Sequence, residues 1–112
     1  MKTIVLNEND RNVSCIVGEN AKDNWAMLDN VSNKEYYFLH LTSFPSCFVI
    51  LQSETPTCLE LKEAGLLCKK NTKYKNLRNT KVDYCKCSNV VNGSVCGEVE
   101  FKSMRKVCKI TI

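Results

Sequence analysis

The sequence predicts an α+β fold: a two-layer domain in which a mixed or antiparallel sheet of six or seven strands packs with two helices. Three observations carry this. Two apolar runs rich in aromatic and β-branched residues, 35–42 and 46–53, stand close together as a hairpin of central strands. Two segments with capping residues and helical spacing bracket that hairpin, and the chain closes on short strand-like runs.

The elements follow in order. Strands are expected at residues 3–6 and 14–17, the second stopped by Gly18. "ENAKDNWAMLDNV" reads as a helix, because Asn20 can cap it, Asp23 falls three residues later, and Ala21, Trp25 and Leu28 recur at helical spacing. "EYYFLHLT" and "SCFVILQS" then form the hairpin around residues 43–45. Thr57 and Glu60 make a capping box at the start of "TCLELKEAGLLCKK", whose Leu61, Ala64, Leu67 and Cys68 share one side. Lys69 and Lys70 suit its C-terminal dipole, and Asn71 is expected to end it. In "KVDYCKCSN" a period of two sets Val82 and Tyr84 on one face and Cys85 and Cys87 on the other. "GEVEF" and "RKVCKITI" follow as strands, with Asn92-Gly93 marking a turn before them and Cys108, Ile110 and Ile112 sharing a face.

At 112 residues with 44% hydrophobic and 25% charged side chains, the chain reads as one domain, residues 1–112. No run approaches the 18 or so apolar residues of a membrane span, and Ile4 to Leu6 is too short for a signal peptide. A cytoplasmic, reducing setting is therefore expected, with most of the eight cysteines acting as small buried hydrophobes. Three Asn-x-Ser sequons, at Asn12, Asn30 and Asn92, are put down to the abundance of Asn. A secreted, disulfide-bonded protein is the competing reading. Zinc at Cys85-x-Cys87 would need Cys96 and Cys108 brought alongside, so no metal and no other cofactor are expected.

The charge is unevenly spread. Residues 1–63 carry five Lys/Arg and nine Asp/Glu, net −4, while residues 64–112 carry eleven and three, net +8. Much of the excess lies in "KKNTKYKNLRNTKVDYCKC", where Lys69, Lys70, Lys73, Lys75, Arg78, Lys81 and Lys86 face one acid, Asp83. Such a field concentrates polyanions, and each phosphate neutralised by Lys or Arg releases counterions. Tyr74 inside the run can stack on an unpaired base, and Asn71, Asn76 and Asn79 can bond sugar or base edges. A solvated charged loop is the bland alternative. His40, the single histidine, shares a strand face with Tyr36, Phe38 and Thr42, which suits a half-buried residue bonded to a neighbour. No Ser, Cys and acid pattern surrounds it, so no catalytic residue is expected. Trp25, Phe38, Phe48 and Phe101 are expected in the core, and Phe44 beside Pro45 in the hairpin turn is open to either stacking or burial.

"IVGENAKDNWAMLDNV", "EYYFLHLTSFPSCFVIL", "LKEAGLLCKKNT", "GEVEF" and "KVCKITI", taken in that order, resemble the NFACT-R domain of ribosome-quality-control proteins and related coiled-coil proteins. The most specific matches are Gly18 with Asn24, His40 at the end of a Tyr/Phe-rich strand, Ala64, and Gly97-x-Val99. Thr42, Pro45 and Glu19 depart from the family pattern, which usually has an acid, a small residue and a base there. The resemblance implies a standalone, non-enzymatic module that binds tRNA or ribosomal RNA and works beside protein partners of a translation-related complex. It adds His40 and Asn24 to the recognition surface. A monomer is expected. An adaptor whose basic segment meets an acidic protein is the alternative from another class.

Overall fold

The structure is a computed structural model that describes residues 1–8, 10–70, 72–96 and 98–112. Asn71 and Gly97, singled out above as a helix end and as part of the Gly97-x-Val99 match, lie outside the described residues. The first hairpin joins β1 (Lys2–Glu8) to β2 (Arg11–Val17) in an unbroken antiparallel register from Lys2 opposite Val17 to Glu8 opposite Arg11. Helix α1 (Ala21–Asp29) starts where expected: the Asn20 side chain accepts the Asp23 N–H at 2.9 Å, replacing one of the donors a first turn leaves orphaned.

Strands β3 (Tyr37–Leu41) and β4 (Val49–Leu51) pair antiparallel as the expected central hairpin. Helix α2 (Cys58–Lys70) opens on a reciprocal capping box, in which the Thr57 N–H donates to Glu60 Oε1 at 2.9 Å and the Glu60 N–H to Thr57 Oγ1 at 3.1 Å. Glu60 is only 1% exposed, and its second oxygen meets Arg11 Nε at 3.1 Å, so one carboxylate caps α2 and ties it to the first hairpin. The chain continues as β5 (Lys81–Lys86), β6 (Val90–Asn92), β7 (Val99–Phe101) and β8 (Cys108–Thr111).

Six strands form one sheet in the order β1-β2-β4-β3-β5-β8, every pair antiparallel, and β6 and β7 form a separate ribbon. This is the α+β class expected from the sequence. Alternation along the strands builds two cores. Leu39, Leu41, Val49, Leu51 and Val82 face Leu61, Ala64 and Cys68 of α2, while Phe38, Ile50 and Cys85 face Met27 and Leu28 of α1 together with Phe48 and Val90. The helices thus lie on opposite faces, and the expected two layers become three. Both faces of β3 and β4 are covered, which is why those strands read as continuous apolar runs.

Further differences are local. The ribbon strand β6 is an addition, and the segment expected as one long last strand turns through a 3-10 helix at Met104–Lys106 before β8 begins. The Asn89 side chain explains the bend: it donates to the Ser103 carbonyl and accepts the Ser103 N–H, both at 2.9 Å, pinning the chain there. Phe38 and Phe48 are fully buried, and Trp25 and Phe101 are half-buried against them, as expected of core aromatics. Val82 and Tyr84 face one core and Cys85 and Cys87 the other.

Candidate functional site

A cleft of about 1080 Å³ opens at one end of the sheet. Its floor is Asn24, His40 and Phe48; one wall is the link after β3 with Phe44, another the segment after α2 with Thr72, Lys73 and Tyr74. The turn between β6 and β7, with Val95 and Glu98, closes the side toward α1. That turn is held in place by Trp25, whose Nε1–H donates to the Glu98 carbonyl at 2.8 Å.

His40 lies opposite Asp83 on the neighbouring strand β5. Its ring stacks on Phe38 with centroids 6.4 Å apart and meets Phe48 edge-on at 5.4 Å. Burial pushes the imidazole below its ordinary value, a shift opposed by the Leu41 backbone and the Asp83 charge, so His40 enters the cleft as a neutral ring. Below about pH 6.5, the ordinary value, the unfolded chain takes a proton that the folded chain resists. Stability should fall as pH drops through that value, and His40→Gln should flatten the fall in urea titrations run from pH 8 to about 5.

Tyr74 reaches the cleft because the segment after α2 folds back. Thr72 Oγ1–H donates to the Lys69 carbonyl at 2.8 Å and accepts the Tyr74 N–H at 3.1 Å, and Leu77 N–H returns to the Tyr74 carbonyl at 2.9 Å. The Tyr74 ring then stacks on Phe44 at 4.2 Å between centroids, with Lys73 Nζ 5.4 Å from the Tyr74 centroid. Asn79 closes the segment at φ 54, a left-handed position that Asn tolerates better than most residues.

Lys69 requires a correction. It is 6% exposed and its ammonium is held by the Leu77 carbonyl, so it secures the fold-back instead of facing solvent. Lys70, Lys73, Lys75, Arg78 and Lys81 are all exposed; Lys73 lines the cleft, and Lys70 and Lys75 flank a separate shallow groove of about 280 Å³ with Leu66. Lys86 sits at the opposite end of β5, beside Tyr37, and pairs with Glu35 at 2.8 Å. Asn24 lines the cleft but is buried, its Oδ1 accepting the Phe48 N–H at 3.2 Å, so its carbonyl is committed to the fold.

The sequence reading missed two participants. Lys2, on β1, contributes a second cation to the cleft lining. Lys109 reaches Asp83 at 2.5 Å, while the Thr42 hydroxyl donates to the same Asp83 oxygen at 2.9 Å. Cross-strand register supplied the only signal for Lys109, since it faces Asp83 on the adjacent strand.

The thiols separate by burial. Cys15, Cys85 and Cys87 are pushed up to about 12, 11 and 12 respectively, desolvation being the largest cause in each case. Among the described residues, no group of three or more His, Cys, Asp or Glu is placed to hold a metal ion, and no helix is long and apolar enough to cross a membrane.

Neither a scan against protein-family models nor a search of curated proteins finds a match. Among solved structures, the chain is similar to the C-terminal part of the fibronectin/fibrinogen-binding protein from Streptococcus suis, with a TM-score of 0.83 at 15% identity. The match covers 96% of this chain and 44% of that one, so the chain spans less than half the length of its neighbour. At this identity the likeness shows the fold alone.

Proposed function

We propose that this chain is a non-enzymatic, cytoplasmic RNA-binding module, of the kind the NFACT-R resemblance implies, that engages tRNA or ribosome-associated RNA. The observation that carries this reading is the convergence of Lys73, Tyr74 and neutral His40 on one cleft, on a segment whose other cations, Lys70, Lys75, Arg78 and Lys81, are all exposed. Phosphates run along Lys70, Lys73, Lys75, Arg78 and Lys81, and an unpaired base enters the cleft against the Phe44–Tyr74 pair. The cleft itself holds Glu19, Asp83 and Glu98 against Lys2 and Lys73, so affinity comes from the exposed cations outside it and the cleft contributes stacking and hydrogen bonds. Where the family pattern has an acid two residues after the histidine, Thr42 instead donates to Asp83 of the next strand, so a carboxylate stands beside that hydroxyl.

A salt series with tRNA tests the proposal. Five phosphate contacts give a log-log slope of about −4, and the absence of binding near 50 mM salt, or a flat slope, overturns it. Tyr74→Ala should then weaken binding by about 1–3 kcal/mol without changing the slope, while Tyr74→Phe keeps the affinity.

A protein partner is the second reading, favoured by Leu66 and Leu77, which are 51% and 45% exposed near the Lys70–Lys75 groove. An acidic peptide with apolar anchors would fit there, and tRNA would not compete for it unless both used the lysines.

A further inference from the structure

The sheet ends on one side at β1, and among the described residues no strand pairs with its outer edge. Edges of this kind are ordinarily blunted by bulges, prolines or brevity. The β8 edge is four residues long with Lys109 drawn to Asp83. The β1 edge has no bulge and no proline, and its charges, Lys2 and Glu8, stand only at its two ends: it runs seven residues in unbroken register, and Val5 at its centre is 57% exposed.

The direction of its free backbone groups follows from the neighbouring ladder. The Ser14 carbonyl accepts the Gln52 N–H at 2.9 Å, and the Gly18 N–H donates to the Phe48 carbonyl at 3.0 Å. Even-numbered residues of β2 therefore turn their N–H and C=O toward β4, and odd-numbered ones toward β1. Through the register of the first hairpin, Lys2, Ile4, Leu6 and Glu8 are bonded inward, which leaves the groups of Thr3, Val5 and Asn7 pointing out.

We propose that this edge docks a second copy of the chain, the two sheets joining antiparallel about a twofold axis at Val5. In that register Val5 exchanges both backbone bonds with Val5 of the other copy, and Thr3 does so with Asn7. On the face toward α2, Ile4 meets Leu6 and Lys2 meets Glu8, so both ends of the edge form opposite-charge pairs. Sliding the register by two residues either way sets Lys2 against Leu6 or Glu8 against Ile4, so charge selects one alignment. Glu63 beside Glu8 pushes the Glu8 carboxyl above its ordinary value, and Lys2 of the other copy brings a cation to that like-charge pair. The dimer replaces the monomer expected from the sequence and is independent of RNA.

Mass measured by sedimentation and light scattering without RNA, from about 1 to 500 μM, tests it in the range where small interfaces exchange. A concentration-dependent dimer is expected. Val5→Pro should give monomer with unchanged circular dichroism, because the N–H it removes faces outward and proline is tolerated at such edge positions. Lys2→Glu should weaken the dimer by about tenfold, and Lys2→Glu combined with Glu8→Lys should restore it, which decides the matter even if the proline variant misfolds. A monomer throughout the range, an open-ended polymer, or a dimer indifferent to both Val5→Pro and Lys2→Glu overturns the proposal.

Discussion

Replacing Lys73, Lys75, Arg78 and Lys81 together by alanine should weaken tRNA binding by about two to three orders of magnitude near 0.1 M salt and flatten the log-log salt slope by about three. All four side chains are exposed and, among the described residues, none is engaged in an ion pair, so apart from the contact of Lys73 with the Tyr74 ring their removal takes away charge and little packing. Fluorescence anisotropy across a salt series reads both quantities. The fold should be unaffected, with the melting temperature within a few degrees of the parent, since surface substitutions of this type change stability by about 0.5 kcal/mol or less. Lys69→Ala serves as the contrasting variant. It removes the ammonium held by the Leu77 carbonyl, so it should loosen the fold-back that carries Tyr74 while leaving the charges on the rim in place. Its effect on affinity should therefore appear with little change of slope. If the fourfold variant binds as the parent does, the phosphate path lies elsewhere.

Gly18→Ala should lower the unfolding free energy by about 3 kcal/mol. A Cβ at this position would overlap Asn24 Oδ1 and come within 2.9 Å of Met27 Sδ, in a place walled by α1. Overpacking of this kind costs about 1–3 kcal/mol, and pushing Asn24 away also strips the buried Phe48 N–H of its acceptor, a further cost of about 1–3 kcal/mol. In a chain of this size that is a fall in melting temperature on the order of 10–20 °C, readable by thermal and urea unfolding. Asn24→Ala alone should destabilise through the orphaned N–H. The double variant should cost less than the sum of the two singles, because removing the amide makes room for the methyl group. Additive costs would show that the clash is relieved by α1 shifting as a body.

Local signals carried most of what was readable beforehand. The Asn20 cap and the Thr57–Glu60 box act within a single turn, so their residues announce themselves in order along the chain. The continuous apolar runs of β3 and β4 announced a central hairpin, yet the same continuity also meant burial on both faces and hence helices on opposite sides. The cleft was half legible. Composition marked the cations and Tyr74, and the NFACT-R resemblance pointed to Asn24 and His40 of the floor, but the Phe44–Tyr74 contact joins a strand link to a post-helix segment thirty residues later. Such a contact depends on how the fold-back turns. Lys69 was misread for the same reason: sequence displays its charge, whereas the Leu77 carbonyl that absorbs it arrives only when the chain doubles back. Lys86 and Glu35 likewise meet through strand register.

Trp25 gives the molecule a reporter of its own. It is the chain's one tryptophan, half-buried on α1, and its indole N–H is bound to the Glu98 carbonyl in the turn that walls the cleft. Emission excited selectively at this single indole therefore tracks one event, the seating of the β6–β7 ribbon on the first helix. An entering base that presses on that turn would shift the colour and yield of the light, and the same signal would follow loosening of the helix in the Gly18 variant. Occupancy and integrity of the cleft can thus be followed in real time with no added dye.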